Sequence, residues 1–396
     1  MEIYGGFAGT ETLRTQRDPV TNLTVLSGDT GLIDDNSDNS YHVVIGSNTD
    51  NSAVLDGFTI TGGSADGSSL ELTKGAGMYN YLGSPTVSNA IFSNNSATFG
   101  AGMFNYGEQF DYTGKYFIPV ITNVTFINNS ATEGGGIRNE HYSSPSLTNV
   151  TFTGNFAIRS GGGMENFDNS SPTLMNVTFK NNSSFAGGGL INWVGSNTSL
   201  VNVTFSGNNA DSLGGGMANY YSDPKMINVT FFGNSANDQG GGIYTDGSAS
   251  LFIRNTVLWG NNATDGIQIY DKTNSTVVIS DSVVQDGYIS GTNIITADPM
   301  LGTLGNYGGY TETMPLLAGS SAIDTGDDLN CPATDQRGIT RPQGAHCDIG
   351  AFEYVEPITP TPTDTPTATP DPTKTPRPTK TPRPTKTPKP TRMAKG

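Results

Sequence analysis

The chain has 396 residues, 14% of them charged, with 51 glycines and 22 prolines. That composition suits a turn-rich repeat, no stretch carries helical periodicity, and no apolar run reaches the roughly 18 residues of a membrane-spanning helix. The formal net charge of −16 divides into −22 for residues 1–356 and +6 for residues 357–396, so the acidic body argues against nucleic acid as a partner.

The chain opens MEIYGGFAGTE, already strand and turn. It lacks the basic stretch and apolar core of an export signal, so the true start is expected upstream, with a cytoplasmic repeat protein as the competing reading. From about residue 75 to 270 one unit recurs every 26 or 27 residues: N-V-T-F-x-x-N-x-A, then G-G-G-x-x-N. Its first Asn falls at Asn123, Asn149, Asn176, Asn202 and Asn228, with degenerate copies at Asn89 and Asn255. A period of this size holds three short strands and three turns. It predicts an all-β fold over residues 1–297, a right-handed parallel β-helix whose coils stack ~4.8 Å apart.

Stacking puts like on like. Phe92, Phe126, Phe152, Phe179, Phe205 and Phe231 form one inward column, continued by Leu258. Val124 and its equivalents lie two positions earlier and share that face, while Thr125 and Thr151 point outward. Three Asn columns are expected to act as amide ladders at turns: one opening the unit, one three residues after the Phe (Asn129, Asn155, Asn182), and one after the glycines (Asn139, Asn166, Asn192). The Gly triplets permit bends that side chains would block.

Two features carry possible chemistry. The residue after the third Asn column is Tyr81, Tyr106, Phe167, Trp193 or Tyr220, an aromatic stripe suited to the faces of sugar rings; turn packing explains it equally well. The coil after Gly102 is too long and carries Phe110, Tyr112, Tyr116 and Phe117, an insertion of the kind that marks a functional side. Beside it stand Arg138, Glu140, His141, Arg159 and Glu165, with Arg138 and Glu165 in one column of adjacent coils. A surface ion pair is the plain reading. A polysaccharide lyase or glycosidase site using Arg138, Glu140 and Glu165 is the sharper one. The N-V-T triplets fit the glycosylation pattern but are better explained by the ladder. Asp324-Thr325-Gly326 resembles one aspartic-protease loop where the chemistry needs two. No metal-ligand spacing or cofactor motif is present, so no cofactor is expected.

Residues 298–356 break the repeat and are expected to cap the open end of the solenoid, where unpaired strand edges would recruit other chains. Cys331 and Cys347 lie in this segment; a bridge between them would add ~3 kcal/mol and imply an oxidising compartment, against two free buried thiols as the alternative. Residues 357–396 are a Thr/Pro-rich tail, expected to be disordered, with a basic residue at every third position from Lys374 to Lys395. In a polyproline II conformation these charges would line one edge and could touch an anionic cell-envelope polymer.

The repeat resembles that of the polymorphic outer-membrane proteins, marked by F-x-x-N and G-G-A-[ILV]; here F-x-x-N runs from Phe92 to Phe231 and G-G-G-[MIL] replaces the second motif. Residues 298–354 resemble the C-terminal segment of the choice-of-anchor Q β-helix proteins of bacterial surfaces. The matching pieces are Asp298-Pro299, Ser321-Ala322-Ile323-Asp324, Asp335-Gln336-Arg337-Gly338, Arg341-Pro342 and Asp348-Ile349-Gly350-Ala351. These resemblances imply export to the cell surface and an adhesive role, not an enzyme. The combined expectation is a monomeric, non-catalytic surface β-helix that binds a glycan or polysaccharide. Its rivals are a polysaccharide lyase or hydrolase and a purely structural stalk.

Overall fold

The structure is a computed structural model, and it describes residues 1–32, 35–108, 117–272 and 274–356. Every named strand pairing is parallel, and the strands stack into three sheets, the architecture of a parallel β-helix. Each regular coil contributes one strand to each sheet. Sheet A takes the N-V-T-F strands, such as Val120–Ile127, Ser146–Thr153 and Thr173–Lys180. Sheet B takes Ser130–Glu133, Phe156–Ser160 and Ser183–Ala186, and sheet C takes Ile137–Glu140, Met164–Phe167 and Leu190–Trp193.

The core is the predicted set of columns. Phe92 through Phe231 are fully buried and stack face to face, with centroids 4.5 to 5.0 Å apart. The Val column is buried beside them, so each coil adds a Val–Phe layer to one continuous apolar core.

The second and third Asn columns are ladders; the second lies at turns as expected, whereas the third lies within the strands of sheet C, paired in register. Asn155 Nδ2 donates to Asn182 Oδ1 at 2.9 Å and to the Phe126 carbonyl at 2.9 Å, while its Oδ1 accepts from the Asn129 backbone N–H at 3.1 Å. Asn105, Asn139, Asn166 and Asn192 repeat the chain of amides inside sheet C. Each second-column amide satisfies backbone groups that the bend leaves without strand partners, while the third-column amides satisfy one another.

The first Asn column behaves differently from the expectation. It lies in mid-strand, in left-handed backbone (φ 56° at Asn123, 58° at Asn149), and the strand register steps over it. Asn tolerates this region better than other side chains, so these residues bend the strands of sheet A at the same level instead of ending them. The last glycine of each triplet is required by close approach. A Cβ on Gly136 would stand 2.4 Å from the Gly163 carbonyl oxygen and 2.8 Å from Phe152, which explains why alanine is not used there.

The segment after residue 297 lies elsewhere than expected. The end of the core is packed by Tyr288 and Ile294, on either side of the start of the final strand Thr292–Ile295. Residues 311–351 run instead along the outer face of sheet A. Thr178 Oγ1 donates to the Glu312 carbonyl, Thr204 Oγ1 to Gln336 Oε1 at 2.7 Å, and the Ala351 N–H donates to Thr230 Oγ1 at 3.1 Å. These threonines are buried, whereas Thr125 and Thr151 in the same column are half-exposed. The physical reason is visible in that column: it becomes Val257 and Val283, which pack with Leu316, Ala322, Ile349 and Phe352. An outward apolar row has to be covered, and the segment covers it.

The motif residues hold this brace. Arg341 and Glu353 form a fully buried pair at 2.8 Å, and Arg341 also donates to the Asp348 and Gly350 carbonyls. Cys331 and Cys347 are disulfide-bonded. The tail, and Phe110, Tyr112 and Tyr116 of the insertion, lie outside the described residues; Phe117 is buried.

Candidate functional site

The Gly triplet folds sheet C back toward sheet B so sharply that the outer faces of the two sheets meet in a groove. A Cβ on Gly134 would sit 2.8 Å from Arg138 Cβ across this bend. Two outward rows of sheet C line the groove. The inner row is Tyr79, Phe104, Arg138, Glu165, Ile191, Ala218 and Tyr244. From Phe104 to Tyr244 it is buried although it points away from the core, because sheet B overhangs it. The outer row is Tyr81, Tyr106, Glu140, Phe167, Trp193 and Tyr220.

The structure therefore gathers the predicted aromatic residues on one face, but most of their ring faces are occupied. Tyr81 stacks on Tyr106 with centroids 5.0 Å apart, Tyr106 on His141 at 5.1 Å, and Trp193 on Tyr220 at 4.1 Å. Rings stacked along the axis offer solvent their edges more than their faces.

Glu140 interrupts the aromatic row, and a second break follows Phe167. Phe167 and Trp193 are register neighbours, yet Phe167 lies under the Arg138 guanidinium (5.3 Å) while Trp193 stacks on Tyr220. Between them opens a cavity of about 490 Å³, lined also by Glu133, Arg138, Arg159, Ser160, Glu165, Phe185 and Ala186. Among the described residues no ring stacks on the Phe167 side of Trp193.

The floor is a buried charge cluster. Arg138, 5% exposed, pairs with Glu133, with Glu165 at 3.0 Å and with Glu140 at 3.2 Å. Glu165, 2% exposed, accepts from Ser160 Oγ at 3.0 Å through its other oxygen. Burial pushes the Glu165 carboxyl up to about 7; Arg138 opposes that shift and Glu133 and Glu140 add to it. Arg138 faces three carboxylates and the exposed Arg159 reaches only Glu133, at 3.5 Å, so the most deeply buried carboxyl is the one that holds a proton most readily. Burial opposes the Arg138 charge, but the carboxylates hold it above the usual guanidinium range.

Arg138, Glu140 and Glu165 are thus brought together as the column argument expected, and Phe167, Trp193 and Tyr220 join them. Glu133, Ser160 and Phe185 were missed. Glu133 had a signal: it directly precedes the Gly triplet that folds the chain back, so it meets Arg138 across the bend.

Comparison with known proteins fits the repeat. Residues 123–140 and 228–246 match the Chlamydia polymorphic membrane protein repeat. No curated protein and no solved structure matches the chain. The class defined by fold and repeat is a parallel β-helix with asparagine ladders, similar over those two stretches to a repeat of membrane-associated surface proteins.

Proposed function

We propose that this protein acts outside the cytoplasm, at a cell surface, and binds carbohydrate in the cavity between Phe167 and Trp193 without altering it. The observation carrying the reading is the break in the aromatic row after Phe167. It leaves one indole face open beside fixed hydrogen-bonding groups, the combination that sugar rings use. The disulfide and the matched repeat support the location. Surface attachment of the choice-of-anchor kind rests on the motif pieces in residues 298–354, and contact of the basic tail with an anionic envelope polymer rests on its charge. A glycan array tests the binding.

Glu165 favours a second reading as hydrolase or lyase, since a carboxyl held near neutrality suits a general acid. Against it, both Glu165 oxygens are already engaged, by Arg138 and Ser160. Reducing-sugar and unsaturated-product assays on each bound glycan separate the two readings. Turnover abolished by Glu165→Gln makes it an enzyme, binding without turnover makes it a lectin-like module, and neither makes it a stalk.

A further inference from the structure

The outer face of sheet A is covered at both ends and bare between them. At the start, the loop carrying Arg14 to Leu23 lies against it, held by Arg17 to Asp56 at 2.6 Å. At the far end lies the brace of residues 311–351. Between them is a groove of about 660 Å³, floored by Asn89, Ile91, Asn123 and Thr125 and walled by Val20, Leu23 and Tyr310. Val20 is 86% exposed and Tyr310 70%.

The covered coils show what this face does with a chain laid across it. Asn202 Nδ2 donates to the Thr334 carbonyl at 2.8 Å, Asn228 Nδ2 to the Asp348 carbonyl at 2.8 Å, and Asn255 Nδ2 to the Asp327 carbonyl at 3.0 Å. In the hydroxyl column, Thr178, Thr204 and Thr230 each bond the brace. The same two rows continue into the bare coils. There Asn123 and Asn149 bond along their own ladder, and among the described residues the Thr125 and Thr151 hydroxyls have no hydrogen-bond partner.

We propose that this strip is a docking site for an extended polypeptide segment of another protein, running along the solenoid axis as the brace does. Its backbone carbonyls would accept from the Asn row, its backbone would meet the Thr125 and Thr151 hydroxyls, and an apolar side chain would fill the space between Val20, Leu23, Ile91 and Tyr310. The argument is continuity: the strip extends an interface that the chain already makes with its own segment. Three coils at ~4.8 Å leave room for about four or five extended residues. The strip's pattern favours an entrant like the brace, with small and β-branched residues around one aromatic or aliphatic anchor.

The test uses a synthetic peptide with the sequence of residues 308–316, GGYTETMPL, carrying a photo-crosslinker, titrated against the full chain. The expected result is saturable binding with half-saturation below about 1 mM, as suits a short segment that must be ordered on binding. Crosslinks should fall on Val20, Leu23 or Ile91. Thr125→Val with Thr151→Val should weaken binding about fivefold or more with an unchanged melting temperature, because the same column already carries Val257 and Val283. Should that variant melt early, Ile91→Lys, which places a charge on the exposed floor of the groove, should abolish binding instead. No saturation at millimolar peptide, or equal binding by folded variants, overturns the proposal. A concentration-dependent dimer that these substitutions abolish would overturn it in favour of a second copy of this chain.

Discussion

At the residue scale, the two kinds of asparagine make the sharpest contrast. Asn155 and Asn182 are buried, and each satisfies backbone and amide groups on both neighbouring coils. Replacing either with Ala leaves those groups unpaired, and thermal or denaturant melts should show a loss of about 1–3 kcal/mol. Asn149, partly exposed and left-handed, should instead tolerate Gly, which enters the same backbone region freely. Glu165 supplies a pH signature. Its carboxyl is pushed up to about 7 from an ordinary 4.5, so between those values the folded protein holds a proton that the unfolded chain has lost. Stability from this group is therefore fully present below pH 4.5 and is lost as pH rises through 7. Asp348, pushed up to about 6 by burial, acts in the same direction. Melting temperatures measured across this window should fall with rising pH in the wild type and fall less in Glu165→Gln.

At the element scale, the coils were legible and the brace was misplaced. Repetition encodes what stacks on what, so the Phe, Val and Asn columns, the three strands per coil and the Arg138–Glu165 adjacency follow from spacing alone. It does not encode what crosses the outer face of a sheet. The change from Thr to Val at Val257 and Val283 was the available signal that the face is covered there. The first Asn column was read as a turn because a left-handed Asn serves turns and mid-strand bends alike. Glu133, Ser160 and Phe185 reach the cavity through the angle of the Gly bend, and the break between Phe167 and Trp193 depends on ring rotamers, neither of which spacing specifies. The brace makes its own prediction. Gln336 inserts between Thr178, Thr204 and Thr311 with bonds of 2.8, 2.7 and 3.0 Å. Gln336→Ala removes one hydrogen bond from each of three buried hydroxyls, which keep their bonds to Glu312, Thr313 and Asn176, and should cost about 1–3 kcal/mol, exposing residues 298–354 to proteolysis before the coils.

At the scale of the whole molecule, the solenoid supplies a rigid scaffold and the groove between sheets B and C supplies a site with one open aromatic face. Residues 1–356 carry a net charge of −22, so long-range attraction toward polyanions is absent from this part of the chain, and the proposed recognition would rest on short-range contacts in the cavity. Trp193 is the residue whose face the proposed contacts need, and it lies outside the main apolar core, at the edge of the small cluster of Ala186, Ile191, Ala218 and Tyr244, so its loss should not unfold the coils. The most direct measurement is a calorimetric titration of wild type and Trp193→Ala with the best glycan from an array, paired with melts of both proteins. The account predicts at least a tenfold loss of affinity, about 1.4 kcal/mol or more, with little change in melting temperature. A variant that folds and binds as well as the wild type would contradict the site, and a variant that unfolds would show that the indole is packing for the solenoid and not a platform for sugar.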